Sequence, residues 1–376
     1  MRSRGLLTAV VLALAACAGG EELWRPPTPE TPPDPQGLDA GASTLDASPP
    51  DAASADAADA SPANDPNDLG TILSATCSTP IPSAGARASA LPVYIGTCPA
   101  LAAAPTFTTI KSSGVDRSFL VVTPTTIAPG ETLPVVFMWH WLGGKAESMA
   151  AALDAQVAAN ARRFIGVVPS AKGDLPFRWP FEASQSQDRV DEEARFFDDM
   201  LACIGTALPV NKECVSSVGV SAGALWTSQL AVVRSERLSS IVSLSGGVGG
   251  IVRGWQTTPH RLPALVLWGG PTDYYPTDIP IMNFEAASTK LVSALSADHH
   301  FMVECTHNCG HVVPPFDAPD AGGGLLFDPI WRFVLGHPYW MPMSRSPFEG
   351  KPLPSAYPGW CGQGPSSPTP RATACP

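Results

Sequence analysis

The chain has 376 residues, of which 44% are hydrophobic and only 15% are charged. That composition is typical of a globular protein and excludes a chain that is disordered throughout. The formal charge of −11 is concentrated in one segment: residues 18–70 carry 11 acidic side chains against one arginine, whereas residues 71–376 carry 23 acidic side chains against 20 basic ones. A domain so close to neutral lacks the clustered Lys and Arg that bind phosphates, so the sequence excludes nucleic acid as a partner.

The N-terminus predicts export. An apolar run over 5–16 follows two arginines and is too short to span a bilayer, which is the layout of a secretory signal. The run ends Leu-Ala-Ala-Cys, which resembles a bacterial lipoprotein lipobox and implies cleavage before Cys17 and diacylglycerol on its thiol. An ordinary signal peptide cut at an Ala-x-Ala site remains the alternative. We therefore expect a lipid anchor at the cell envelope, at the outer membrane because Ala18 follows the cysteine, or secretion if the lipobox is not used.

Three segments follow from these features. Residues 1–16 are predicted to be the lipoprotein signal peptide. Residues 17–70 are rich in Pro, Ala and Asp and have almost no large apolar side chains, so they are predicted to be a disordered tether. Residues 71–376 are predicted to form one catalytic domain, in which the last 35 or so residues, rich in Pro and Gly, are an extension wrapped on the surface.

Apolar runs alternate with amphipathic stretches in residues 71–376. Strands are predicted over 106–111, 118–123, 134–139, 164–168, 214–218, 240–244, 264–267 and 301–304. Helices are predicted over 146–162, 192–207, 222–233, 283–295 and 326–335. This order is typical of an α/β protein with one mostly parallel sheet of about eight strands and helices on both faces.

Nine cysteines are present, and assigning Cys17 to the lipid leaves an even set of eight. In an exported chain an even set predicts disulfide bonds. The sequence leaves the connectivity open. The simplest expectation pairs neighbours along the chain, as 77 with 98, 203 with 214, 305 with 309 and 361 with 375.

The pattern Gly-x-Ser-x-Gly occurs at 219–223, where it reads Gly-Val-Ser-Ala-Gly. A predicted strand leads into it and a predicted helix leads out. A serine in such a turn needs glycine on both sides, because side chains there would collide with neighbouring backbone, and the turn aims a helix N-terminus at the hydroxyl. We therefore predict that Ser221 is a nucleophile. The alternative is a Gly-Ser loop that caps a helix.

A nucleophilic serine requires a base and an orienting acid, which in sheets of this kind follow in the order Ser, Asp or Glu, His. Asp273 follows the strand predicted over 264–267 and lies at a carboxyl end, where the sites of open α/β sheets form. It is the predicted acid, and Asp278 is the fallback.

The predicted base is His311, which lies on the loop after the last predicted strand, with a glycine before it and a proline shortly after it. On the same loop, His307 is predicted to be a solvated histidine. His299 and His300 lie at the start of that strand, which is the wrong end for a site, and are predicted to be surface residues.

Two backbone N–H groups must stabilise the oxyanion that develops during acyl transfer. One is predicted to come from Ala222, the residue after the nucleophile. The other is predicted on the loop His-Trp-Leu-Gly-Gly at 140–144, from Trp141 or Leu142, since the glycines let this loop turn its amides inward. His140 is predicted to be a structural hydrogen-bonding residue.

The strand and loop order, together with His-Trp-Leu-Gly-Gly, Gly-Val-Ser-Ala-Gly, Gly-Gly-Pro-Thr-Asp at 269–273 and Gly-His-Val-Val-Pro at 310–314, resembles the α/β-hydrolase fold. Within it, residues 106–337 are most similar to the secreted feruloyl esterase and polyhydroxybutyrate depolymerase-like group. The resemblance implies a serine hydrolase that cleaves carboxylic esters of feruloyl, acetyl or hydroxyalkanoate type through an acyl-enzyme, without a cofactor. The expected partners are an ester from a plant polymer or polyester fragment and, through the lipid, a membrane.

Substrate contacts are predicted from aromatic residues that adjoin the site, above all Trp141 and Tyr274. Three alternatives remain open. The scaffold could serve a serine peptidase, or it could be a catalytically silent surface binding protein. The residues Cys305, His307, Cys309 and His311 could hold zinc, but their spacing is unlike the usual zinc pattern and no metal is expected.

Overall fold

The computed structural model describes residues 65–101, 105–173, 178–276, 281–316 and 324–375. The predicted signal peptide, Cys17 and most of the predicted tether lie outside these ranges. The last residues of the predicted tether, from Asp65 onward, form a turn and then the first residues of helix α1, Leu69–Leu73. No helix in the described ranges is both long and apolar enough to cross a bilayer.

One sheet of nine strands forms the centre of the molecule, and its strand order is β1-β2-β4-β3-β5-β6-β7-β10-β11. The six strands from β4 to β10 in that order run parallel, and β1, β2 and β11 are antiparallel to their neighbours. The strands are β1 Thr106–Ser112, β2 Val115–Val122, β3 Leu133–Trp139, β4 Ile165–Pro169, β5 Val210–Val220, β6 Ser240–Leu244, β7 Ala264–Trp268, β10 Met302–Thr306 and β11 Cys361–Gln363. A separate two-stranded ribbon pairs β8 Tyr274–Tyr275 with β9 Met282–Asn283.

The helices lie between these strands. They are α2 Ala146–Ala152, α3 Ala155–Arg162, α4 Gln187–Ala207, α5 Ala222–Arg234, α6 Phe284–Ala297 and α7 Asp328–Gly336. Apolar clusters cover both faces of the sheet, one containing residues of α4, α5 and α6 and the other containing residues of α2, α3 and α7. The predicted α/β class, with a mostly parallel sheet and helices on both faces, is confirmed.

Local differences from the prediction have physical reasons. The helix expected over 146–162 is two helices, because Asp154 adopts a left-handed conformation with φ of 48° between them, which aspartate tolerates better than most residues. The ninth strand, β11, belongs to the C-terminal extension and pairs antiparallel with β10. It has three residues and contains Gly362, so no apolar run marks it as a strand.

The described residues form four disulfide bonds, as the even set of cysteines predicted, but the pairing of chain neighbours is wrong. The structure joins Cys77 to Cys214, Cys98 to Cys203, Cys305 to Cys361 and Cys309 to Cys375. Each bond links segments that are at least 56 residues apart in sequence. The entropy of closing a loop rises only slowly with its length, so tertiary placement outweighs proximity along the chain.

Candidate active site

Ser221 lies in the turn between β5 and α5, with φ of 53° and ψ of −118°. This backbone conformation is uncommon for a residue with a side chain. Both flanking glycines are required: a Cβ at Gly219 would lie 2.2 Å from the carbonyl oxygen of Gly223, and a Cβ at Gly223 would lie 2.0 Å from the carbonyl oxygen of Trp139. The backbone N–H of Ser221 donates to Leu244 O on β6 at 2.9 Å, which ties the turn to the next strand.

A continuous line of hydrogen bonds joins three predicted residues. The distance from Ser221 Oγ to His311 Nε2 is 2.9 Å, and the distance from His311 Nδ1 to Asp273 Oδ1 is 2.7 Å. The three side chains come from loops after β5, β7 and β10, which all end at the same edge of the sheet. The structure therefore brings together side chains that are separated by up to 90 residues in sequence.

The second carboxylate oxygen of Asp273 is also satisfied. Ser245 Oγ and the backbone N–H of Gly269 both donate to Asp273 Oδ2 at 2.8 Å. Burial acts to raise the pKa of Asp273, but the hydrogen bonds from His311, Gly269 and Ser245 outweigh it and hold the pKa below its usual value. Asp273 is therefore an anion with a fixed orientation. The fallback acid, Asp278, lies outside the described residues.

The imidazole of His311 has two aromatic rings beside it. Phe284 stacks on it with ring centroids 4.2 Å apart and an angle of 12° between the planes, and Tyr275 lies at 5.7 Å. Neither Phe284 nor Ser245 was predicted from the sequence as a site residue. Ser245 follows directly after β6 at a carboxyl end, so its position in the chain carried a usable signal, whereas Phe284 begins α6 and carried none.

Two carbonyl groups of the loop after β3 accept hydrogen bonds from nearby groups. Trp179 Nε1 donates to His140 O at 2.7 Å, and His140 Nδ1 lies 2.8 Å from Trp141 O, which also accepts from Gly144 N. In a trans peptide the N–H points opposite to the C=O, so the N–H of Leu142 is directed away from the groups that bind Trp141 O. Burial lowers the pKa of His140 to about 4, so its ring is neutral.

A small cavity of about 20 Å³ adjoins Ser221. Besides Ser221 and Ala222, its described lining consists of apolar and aromatic side chains: Leu142, Phe181, Leu225, Ile251, Tyr275, Met282 and Phe284. None of these described lining residues carries a charge. The cavity therefore suits an uncharged, apolar group held next to the hydroxyl of Ser221.

Several solved structures have a similar arrangement of strands and helices. No family model and no curated protein matches this sequence. A pOPH variant in complex with DMSO matches with a TM-score of 0.56 and 16% identity, covering 74% of this chain and 98% of that chain. Native sOPH matches with a TM-score of 0.55 and 18% identity, covering 72% and 98%. The chain has the α/β-hydrolase fold. A ferulic acid esterase matches with a TM-score of 0.42 and 12% identity, covering 55% and 90%.

Within this α/β-hydrolase fold, two predicted substrate contacts lie elsewhere. Trp141 is 4% exposed and packs in the apolar cluster that contains α2, with its ring against Gly144, so its indole does not line the cavity. Tyr275, rather than Tyr274, lines the cavity. The two tyrosines are adjacent on β8, where successive side chains point to opposite faces, and only one can face the site.

Two histidine predictions were wrong. His307 and His300 are buried rather than solvated, and only His299 is exposed as expected. His307 Nδ1 accepts from the backbone N–H of Cys309 at 3.1 Å, and burial lowers its pKa to about 4. Both cysteines of the zinc alternative, Cys305 and Cys309, are bound in disulfides, so they offer no thiolates.

Proposed function

We propose that this protein is a serine hydrolase that cleaves carboxylic esters. The observation that carries the proposal is the line of hydrogen bonds from Ser221 through His311 to Asp273, with distances of 2.9 and 2.7 Å. This order of groups and these distances are those of a nucleophile, a general base and an orienting acid. The fold, the strained turn and the position at the carboxyl ends of the strands are consistent with the same assignment.

In the proposed reaction, Ser221 Oγ attacks the acyl carbon while His311 Nε2 takes its proton. His311 then gives that proton to the leaving alcohol, and an acyl-enzyme forms on Ser221. Water attacks the acyl-enzyme with His311 again as base, and the acid is released. Asp273 holds the imidazole in one orientation and stabilises its protonated form.

Two backbone N–H groups are assigned to the oxyanion. Ala222 begins α5, so its N–H has no carbonyl partner within the helix. The orientation of the peptide between Trp141 and Leu142 supports Leu142 as the second donor, and both Ala222 and Leu142 line the cavity beside Ser221. The apolar lining favours an uncharged acyl group there. It also argues against a peptidase that binds a free amino terminus, since such a site needs a carboxylate.

Hydrolysis assays test this proposal. The wild-type chain and Ser221→Ala should be compared on acetyl, feruloyl, short-chain nitrophenyl, hydroxybutyrate and peptide substrates. We expect turnover of one or more esters by the wild type, loss of that turnover in the variant and little or no cleavage of peptides. Faster cleavage of a peptide than of any ester would reassign the enzyme as a peptidase. No turnover at all would favour a binding protein.

We also propose that the enzyme is exported and attached to a membrane through a lipid on Cys17. The lipobox resemblance and the run of acidic residues between it and the domain support this placement. The four disulfides are compatible with an oxidising compartment. A substrate from a polymer outside the cell, such as a plant polymer or polyester fragment, would fit that location.

A further inference from the structure

The segment that carries His311 begins on β10 and ends at the site. We call residues 305–311 the base loop. On its inner side, two backbone hydrogen bonds tie it to the end of β7: His307 N donates to Trp268 O at 3.1 Å, and Gly310 N donates to Gly269 O at 2.9 Å. The two backbones touch here, because a Cβ at Gly269 would lie 1.9 Å from Gly310 O.

The outer side of the base loop is covered by the end of the chain. We call residues 360–375 the C-terminal strap. Its first part extends the sheet, since β11 pairs with β10 and Cys361 is bonded to Cys305 in that pairing. Thr306 N donates to Trp360 O at 3.0 Å, and the Trp360 ring lies edge-on to buried His307 at 5.9 Å.

The last part of the strap follows the base loop toward His311. Arg371 N donates to Thr306 O at 3.1 Å, and Arg371 Nη1 donates to Asn308 Oδ1 at 3.2 Å. Asn308 Nδ2 in turn donates to Thr373 O at 3.0 Å. The final link is covalent, because Cys375 is bonded to Cys309.

We propose that the C-terminal strap is a positioning element for His311, and that the Cys309–Cys375 bond is the link through which it acts. This inference rests on the proposed function. Only Gly310, with φ of 73°, separates Cys309 from His311, and glycine restricts the backbone less than any other residue. A general base must stay within about 0.5 Å of its productive position, so the base loop needs to be held on both sides.

Of the two bonds between strap and loop, the one at Cys309 bears most directly on the base. Cys305 lies on β10, where ladder hydrogen bonds to β7 and β11 already hold the backbone. Cys309 lies beyond the ladder and is only partly buried, and Cys375 is exposed. Both can therefore be replaced without opening a cavity in the core.

The test compares two pairs of substitutions in the full chain. Cys309→Ser with Cys375→Ser opens the strap. Cys98→Ser with Cys203→Ala is the control. It removes a bond that joins α4 to the N-terminal segment and that has a larger sequence separation, 105 against 66 residues. We expect kcat of the strap pair to fall about ten- to a hundredfold per folded molecule, with KM within about twofold, because misplaced groups lose rate rather than affinity. The control pair should keep the wild-type kcat.

Hydrogen exchange supplies a readout that does not depend on activity. In the strap pair, amides over 305–312 should exchange faster than in the wild type, while those of β5 and α5 stay unchanged. A shortened chain that ends at residue 370 should behave as the strap pair does. Unchanged kcat and unchanged exchange, or an equal loss of kcat in the control pair, would overturn the inference. If the wild type hydrolyses no ester but exchange over 305–312 responds, the proposed function fails and the strap remains only a structural clamp.

Discussion

Ser221, His311 and Asp273 differ in what the loss of each side chain should cost. Replacing Ser221 or His311 by alanine removes the proposed nucleophile or the proposed base, and we expect turnover to fall by roughly 10⁶-fold. Asp273→Asn keeps the size of the side chain but favours the wrong imidazole tautomer, so roughly 10⁴-fold is expected. Steady-state kinetics on the best ester measures both. Wild-type turnover in Asp273→Asn would contradict the assignment and direct attention to Asp278.

Phe284 is expected to influence the rate through the imidazole on which it stacks. Phe284→Leu keeps an apolar side chain but removes the ring contact, and aromatic contacts of this kind are worth about 0.5–1.5 kcal/mol. We therefore expect kcat/KM to fall about three- to tenfold on an ester with a small acyl group. Phe107→Leu is the control, since Phe107 is on the edge strand β1 and 48% exposed. Equal kinetics for the two variants would show that the ring contact is without effect.

The residues of the candidate site could be predicted from the sequence to very different degrees. Ser221, Asp273 and His311 each follow a buried strand, so their positions could be predicted from strand ends and chain order. The two aromatic neighbours of His311 could not be predicted in this way, because Phe284 and Tyr275 reach the imidazole only through the tertiary packing of the segment around β8 and β9. His307 looked solvated because its cover, Trp360, is 53 residues away in the sequence.

The turn between β5 and α5 is an element whose geometry depends on glycine. Gly223→Ala would place a Cβ 2.0 Å from Trp139 O, so β3 and α5 must separate. We expect a loss of about 3 kcal/mol or more in the free energy of unfolding, or failure to fold. Gly254→Ala is the control, because nothing lies within 4 Å of the position its Cβ would take. Urea denaturation that gives equal midpoints for the two variants would argue against this packing.

Among the larger elements, the strands agree with their predicted bounds to different degrees. β6 matches its predicted bounds because all five of its residues are apolar or small and buried. β5 begins four residues earlier than expected, since its first part contains Asn211 and Lys212. Lys212 Nζ donates to Ala88 O, and Asn211 Nδ2 donates to Cys77 O. Polar residues that bind distant backbone in this way leave no periodic signal in the sequence.

At the scale of the whole molecule, buried histidines predict sensitivity to acid. Burial lowers the pKa of four histidines outside the proposed triad to about 4, namely His140, His260, His307 and His337. Below pH 6.5 the unfolded chain binds protons on these side chains and the folded chain does not, so the free energy of unfolding should decrease as pH falls from 6.5 toward 4. At pH 5 each of these histidines lowers the free energy of unfolding by on the order of 1–2 kcal/mol. Glu182 and Glu304, whose pKa burial raises, act in the opposite direction.

Thermal unfolding at pH 7.5, 6 and 5 measures this dependence. We expect Tm to fall with pH, and the slope to become smaller in His337→Gln, which removes one buried imidazole. His299→Gln should keep the wild-type slope because His299 is exposed. A Tm that stays constant or rises between pH 7.5 and 5 would refute the prediction.

The proposed anchor is also a property of the whole molecule. The mature wild-type protein should enter the detergent phase of a two-phase partition, because the two or three acyl chains of a mature lipoprotein bind membranes stably. Cys17→Ser should abolish the lipid and stay in the aqueous phase if it is exported. Recovery of the wild type in the aqueous phase, with an unmodified cysteine at position 17, would rule out the anchor.

Covalent trapping of the nucleophile tests whether Ser221 is the residue that attacks the substrate. The wild-type protein is treated with a fluorophosphonate, digested, and the modified peptide is located by mass spectrometry. We expect one adduct, on Ser221, formed in parallel with the loss of ester hydrolysis. Labelling should be very slow in His311→Ala because the base is missing. Labelling of another residue, or full retention of hydrolysis after Ser221 has been modified, would contradict the assignment of Ser221 as the nucleophile.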